Sequence, residues 1–430
     1  MTGGDLRSLL STVEAAHARI APRFLRAEPR RRALRYLCGL ALSNGPRGGR
    51  RLVMRGGEEQ PDGMQRLLTS AQWDSEVVRD DLQDMVAEHL GDPGGVLVVG
   101  ERHFRKNGVR SAGVHERYDR LTGRVTNGQL GVFLLYVSPR GSAIVDRELY
   151  LPPVWLADPR RRRDAGLGDE VRFREVGELA ALMAARTRVP AAWLVAGRPY
   201  GASGSLHTAL QRRGIPHVLE VDPAEVLPFL VDNRVVAQSV DAVLGRSGHA
   251  GHGPRGADEP ARPRRWNTVR WARFPLAPAA HHGFCRWLVV AEPMSPGLVR
   301  RCHVACGPTG TPLNELARAV ETAERAPDCL AAACVHAGLD NYEARQRTAW
   351  YRHVTLSAIA HSCLEIARAD ADPARAESSP GRTAAVVMGA VGAIPRGAGH
   401  RTRTARGTSF PRRWEPADWM SARPVGGRVG

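Results

Sequence analysis

Three apolar runs crowded between residues 96 and 151 constrain this chain more than any other feature. VLVV at 96–99, GVFLLYV at 131–137 and SAIVDRELYL at 142–151 are short and rich in β-branched and aromatic residues, which predicts strands. The Pro139-Arg140-Gly141 turn sets the last two beside each other. Helix and strand then alternate: residues 175–186 read as helix, AAWLVA at 191–196 as a buried strand, 205–213 as helix and 217–221 as strand. Three meandering strands followed by alternation fit an α/β sheet of mixed direction. The first run breaks into a polar stretch, GERHFRKNG at 100–108, which is expected to be a turn. An enzyme that offers a carboxylate to a metal and a phosphate needs such a strand end. Here the strand delivers Gly100.

On both sides the pattern is helical. Residues 23–40 place Phe24, Leu25, Leu34, Leu37 and Cys38 near one face, with arginines around the rest. A Gly/Arg-rich break spans 45–57, and Pro61 or Asp62 signals the next helix. Asp74 is placed to cap SEVVRDDLQDMVAEHL, which Gly91 ends. Residues 245–265 are Gly/Pro/Arg-rich and read as a mobile loop, followed by strand-like runs at 266–276, 285–290 and 298–306. Residues 313–337 are helical in period despite Pro327, and 351–369 form a long apolar helix. Beyond residue 370 periodicity is lost and no core can form, so a disordered tail is expected.

Charge narrows the partners. The net charge is +17, a surface that attracts polyanions, with DNA as the expected partner. Lys106 is the sole lysine, so arginine carries the excess, and a Walker A loop is excluded. Arginine over lysine reflects GC-rich coding, but that bias does not explain the surplus of bases over acids. No apolar run reaches about 18 residues, so no membrane span is expected. The start lacks a signal-peptide pattern, which predicts a cytoplasmic protein with reduced thiols. Cys302, Cys306, Cys329 and Cys334 miss tight zinc spacing and read as packed core thiols. Gly201-Ala202-Ser203-Gly204 lacks the spacing of a nucleophile elbow.

Blocks in one order carry a resemblance: PDGMQRLL at 61–68, WDSEVVRDDL at 73–82, EHLGDPGGVLVV at 88–99, GVFLLYVSPRG at 131–141, DRELYLP at 146–152, GPTGTPLNEL at 307–316, and GLDNYEAR with WYRHVTLSAIAH between 338 and 361. Over residues 24–368 the chain resembles the DDE transposases of bacterial insertion sequences, the branch named for element seven-oh-one. The resemblance implies a ribonuclease H-like mixed sheet with a β-rich insertion, preceded by a helical N-terminal domain. It implies a DNA-binding head at 1–92, core at 93–221, insertion at 222–311 and further core helices at 312–369, while the Arg/Gly/Pro-rich tail at 370–430 lacks the closing helix expected of the family. In such enzymes two aspartates and a glutamate hold two divalent ions, magnesium by preference, for phosphoryl transfer on DNA. Terminal inverted repeats are the implied DNA target and a homodimer the implied working form.

Carried over residue by residue, each acidic position is substituted. The family's VVDETGF-like run reads VVGERHF here, placing Gly100 at the first aspartate. Its ADEVYG-like run reads AGRPYG, placing Gly197 at the second. An ungapped register to the RWxIEE motif puts Pro327 and Asp328 at its paired glutamates, with Pro327 at the ligand; a shifted register brings Glu321 or Glu324 there. Glycine offers no ligand, and proline inside a helix costs about 3 kcal/mol. Glu101 and Asp328 are neighbouring carboxylates, but a one-residue shift turns a side chain to the other strand face, or by about 100° on a helix. Magnesium is therefore the family's cofactor and is not expected to bind this chain. Lys106 beside the vacant site, Arg160 and Arg161 in an arginine loop, and Tyr351, Arg352 and His353 at a helix start are the candidate DNA contacts. Three readings follow: a cut-and-paste transposase, a catalytically defective DNA-binding remnant of one, or a pseudogene product that does not fold stably.

Overall fold

The expected strands pair into one sheet. The computed structural model describes residues 3–42, 62–119, 124–246, 269–293, 299–341 and 345–372, so the expected break at 45–57, most of the loop at 245–265 and the tail from 373 lie outside the described residues. Strand β1 (Val96–Arg105) pairs antiparallel with β3 (Arg124–Ser138) over its whole length. On its other side β3 carries β2 (His115–Asp119) and β4 (Gly141–Leu149), both antiparallel. β1 also pairs in parallel with β5 (Trp193–Ala196), and β5 with β6 (His217–Val221). Beyond β6 the sheet continues antiparallel through β11 (Arg301–Pro308), β10 (Phe284–Pro293) and β9 (Val269–Pro275), nine strands in all. An antiparallel meander joined to two parallel strands is a ribonuclease H-like arrangement, and β9 to β11 extend it at one edge.

One expectation fails here. Residues 100–105 are strand, not turn, because β3 is 15 residues long and supplies partners as far as Arg105 opposite Gly128. What ends at Val99 is the pairing with β5, which stops at Ala196.

Helices α1 (Gly3–Ile20), α2 (Ala27–Ala41), α3 (Asp62–Thr69) and α4 (Ser75–Leu90) precede the sheet. Asp74 caps α4 by accepting from the Glu76 N–H, as its position predicts. Phe24 is buried and packs its ring 5.2 Å from that of Trp73, but Leu25 is 81% exposed. Both precede α2, so the helical face drawn through Leu25 does not exist. The N-terminal helices bury Val13, Leu37, Leu67 and Val86 in one apolar cluster with the sheet and with the C-terminal helix α13 (Arg347–Ala371). A smaller cluster lies under a hairpin the sequence reading did not foresee, β7 (Val226–Val231) and β8 (Arg234–Ser239). Its signal was Asp232-Asn233, whose positive φ angles (46° and 64°) make the tight turn. Between β4 and β5 lie α5 (Pro153–Ala157), α6 (Pro159–Ala165) and α7 (Val176–Arg186). After β5 come α8 (Arg198–Gly201) and α9 (Gly204–Arg212), and after β8 comes α10 (Val240–Arg246).

The helix expected over 313–337 is two helices, α11 (Leu313–Ala323) and α12 (Ala326–Ala337). Pro327 lies in the first turn of α12, where no N–H is needed for an intrahelical bond. The expected penalty for an interior proline therefore does not arise. The chain breaks at Glu324 and restarts.

Candidate active site

Parallel strands create the site. β1 and β5 stay in register from Val96 opposite Trp193 to Val99 opposite Ala196, so Gly100 and Gly197 are the next residues on neighbouring strands. β6 pairs Leu219 with Ala196, which brings Glu220 alongside, and His303 on β11 lies directly opposite Glu220. Gly100, Gly197, Glu220 and His303 thus form one row across four adjacent strands. Crevices at the carboxyl ends of parallel strands are where such sheets bind ligands. A cavity of about 400 Å³ opens there, and Gly100, Gly197 and Pro327 all line it.

The two glycines differ in the room they leave. A Cβ on Gly100 would lie 2.8 Å from Leu135 Cδ1 and 3.1 Å from Leu330 Cδ1, so apolar side chains have closed over that position. A Cβ on Gly197 would meet nothing nearer than Glu220 Oε2 at 4.0 Å. Gly197 is extended, with φ −76° and ψ −176°, a backbone that any residue adopts.

Carboxylates still surround the cavity, each with a protein partner. Glu101 accepts from the Tyr200 hydroxyl at 3.0 Å. Glu220 accepts from Arg198 Nε at 3.2 Å, and Glu324, the last residue before the break between α11 and α12, pairs with Arg301. His303 is 2% exposed, and burial followed by the Arg301 charge lowers its pKa to about 3, so its ring is neutral. Two divalent ions need several oxygen ligands converging on one point. Among the described residues no three His, Cys, Asp or Glu side chains gather in that way, and Gly100, Gly197 and Pro327 offer no ligating group. The residues present do not fit the family's metal pair.

Glu220, Arg301 and His303 were absent from the sequence reading, because only strand pairing places them here. Glu324 had appeared only through the shifted register; Glu321, its companion there, is not among the lining residues. Asp328 is exposed in the first turn of α12, outside the cavity lining. Lys106 is not beside the site: it follows the last residue of β1, Arg105, and lies six residues past Gly100, about 20 Å at strand rise.

The remaining candidates lie elsewhere. Arg160 and Arg161 belong to the short helix α6 rather than a loop, with Asp158 accepting from both backbone N–H groups. Arg160 is exposed, whereas the Arg161 guanidinium lies 5.4 Å from the Trp155 ring. Tyr351, Arg352 and His353 are buried in α13 rather than presented at the surface. Tyr351 donates to Glu148 Oε2 at 2.6 Å, and Arg352 donates to the carbonyls of Leu68 (3.1 Å) and Trp73 (2.8 Å). His353 Nε2 faces the carbonyls of Gly338 and Leu339, so it carries the proton, and Nδ1 accepts from the Tyr36 hydroxyl at 2.7 Å. Their neighbourhood is an ionic network on the DRE of β4. Asp146 and Glu148 both bind Arg186 of α7, at 2.7 and 2.5 Å, while Arg147 binds Glu76 of α4 at 2.7 Å and Thr355 of α13 at 2.9 Å. Burial alone would raise the Glu76 pKa, but Arg147, Arg186 and Arg79 hold it down at about 2. These residues fasten the N-terminal helices to the sheet.

The family described as DDE superfamily endonuclease matches residues 19–274, more than half of the chain. No curated protein matches it.

Proposed function

The chain belongs to the DDE superfamily endonuclease family, and we propose that it is a transposase-like DNA-binding protein that has lost phosphoryl transfer. One observation carries the reading. Positions 100, 197 and 327, distant in sequence, line one cavity at the ends of the parallel strands, and none of the three residues can ligate a metal. An active nuclease of this type would need carboxylates there.

DNA affinity rests on charge. The chain is +17, and Arg26, Arg31, Arg35 and Arg160 are exposed on the N-terminal helices and α6. Phosphate contacts of this kind are sequence-independent and fall with salt through counterion release. On this reading residues 1–92 serve as the DNA-contacting head, and the element's terminal repeats are the DNA to test first.

Fluorescence anisotropy with duplex DNA tests the binding. With about six phosphates neutralised, the dissociation constant rises on the order of a thousandfold between 50 and 200 mM salt. Salt-independent binding, or none, would overturn the DNA reading. Incubation with magnesium or manganese and labelled DNA ends tests the chemistry: no cleaved or strand-transfer product is expected. Product above background would show that the neighbouring carboxylates rescue catalysis.

A further inference from the structure

The turn between α1 and α2 sets an apolar side chain among crowded positive charge. Leu25 is the most exposed large apolar side chain among the described residues. Residues 19–35 around it hold seven arginines and a single acid, Glu28, which pairs with Arg32 at 2.6 Å. Arg19 and Arg23 pair with Glu88 and Asp81 of α4. Arg26, Arg30 and Arg31 are exposed and meet no carboxylate among the described residues. A leucine alone on a surface needs no explanation. This one stands on a backbone that is held in place. Phe24 before it is fully buried, and its N–H donates to the Ala21 carbonyl at 3.2 Å. Arg30 reaches back from α2, donating from Nε to the Ala21 carbonyl and from Nη2 to the Phe24 carbonyl, each at 3.0 Å. The Arg30 carbonyl in turn meets His17 Nε2 of α1 at 2.8 Å. On the other side of Leu25, Arg26 is the N-cap of α2. An exposed side chain on a fixed backbone has little main-chain freedom to lose when it enters a partner.

We propose that Leu25 is a wedge, which enters the minor groove of duplex DNA and inserts between two base pairs while Arg26 and Arg31 contact neighbouring phosphates. The proposal rests on the DNA reading above and adds how the duplex is held. The surplus of positive charge calls for a polyanion, and the apolar tip for an apolar slot within it. A duplex supplies both, phosphates on its outside and base faces where a step is unstacked. Apolar wedges among basic side chains kink DNA in this way. An anionic lipid surface has the charge, but a single leucine is far smaller than the apolar face of an interfacial helix. Insertion also gives sequence preference without a hydrogen bond to any base. Pyrimidine–purine steps such as TA unstack most readily, whereas A-tracts are stiff, so Leu25 favours the former.

Duplexes carrying 2-aminopurine beside one TA step, or beside an AA step in its place, test this with the full chain. Binding is expected to raise the fluorescence at the TA step, as the base unstacks. Leu25→Ser folds as before, since a side chain this exposed adds little to the core. It is expected to abolish that rise and to weaken binding to the TA duplex on the order of tenfold, the worth of burying a leucine less the cost of unstacking. Its salt dependence stays unchanged because no charge is lost, and Leu25→Met restores the signal. Arg26→Gln instead weakens both duplexes alike and lowers the salt slope by about one. Unchanged fluorescence in Leu25→Ser, or an equal loss of affinity on the TA and AA duplexes, overturns the wedge and leaves the DNA reading standing. Absence of DNA binding by the unaltered chain overturns both. Binding to phosphatidylserine vesicles that Leu25→Ser abolishes, with DNA binding untouched, would assign the residue to a membrane and overturn the proposal.

Discussion

Gly100 and Gly197 occupy equivalent places on neighbouring strands, yet they are not equivalent residues. Leu135 and Leu330 have closed over Gly100, so Gly100→Asp must push both aside and bury a carboxylate among apolar groups. A cost of about 1–3 kcal/mol is expected from overpacking alone. Gly197 faces open space at the N-cap of α8, a position that favours aspartate, and its nearest side chain, Glu220, is paired with Arg198. Gly197→Asp should change stability by no more than about 0.5 kcal/mol. Urea unfolding of the two variants measures the difference; equal losses would mean that Leu330 does not pack as described. The identities of both glycines were legible in the sequence. Their surroundings were not, because Leu330 is 230 residues from Gly100 along the chain.

At the scale of elements, Pro327 and the DRE of β4 teach opposite lessons. Proline is costly within a helix but harmless in its first turn, and the chain avoids the cost by ending α11 at Ala323 and starting α12 at Ala326. Pro327→Ala is therefore expected to shift stability by under about 1 kcal/mol, against the roughly 3 kcal/mol gain due in an unbroken helix. The thermal midpoint of the variant reads this directly, and a rise of many degrees would contradict the break. The DRE stretch reads as part of an alternating strand. Asp146 and Arg147 are each 1% exposed, because α4, α7 and α13 converge on β4 and supply Glu76, Arg186 and Thr355. Such a network holds helices in register more than it adds net stability. It also explains why Tyr351 and Arg352, which look like phosphate ligands beside a helix start, are turned inward.

For the molecule as a whole, burial of histidine sets an acid limit. His217, His303, His353 and His361 are at most 2% exposed, and burial lowers their pKa values to about 3, 3, 4 and 4. Each stays neutral in the folded protein while its unfolded counterpart protonates near 6.5. The stability these groups contribute is thus complete above pH 6.5 and is lost as pH falls toward 4. Up to four protons taken up on unfolding give a slope of at most roughly 5 kcal/mol per pH unit between those limits. Unfolding measured at pH 7, 6 and 5 should show a steep fall, and a flat profile would exclude neutral buried imidazoles. No helix among the described residues is long and apolar enough to cross a membrane.

Periodicity and local chemistry gave away most of the sheet, the Asp74 cap and the family, since alternation, turn residues and motif order are properties of neighbouring positions. Gly100, Gly197 and Pro327 were likewise readable one by one. Their convergence depends on parallel pairing between strands about a hundred residues apart and on a helix packed across their ends. The same pairing added Glu220 and His303, for which no local pattern exists. It also sent Lys106 along β1 away from the site and drew Tyr351, Arg352 and His353 into the core. Hydrogen bonding between distant strands and burial against distant helices are long-range effects, and the sequence carries no local mark of either.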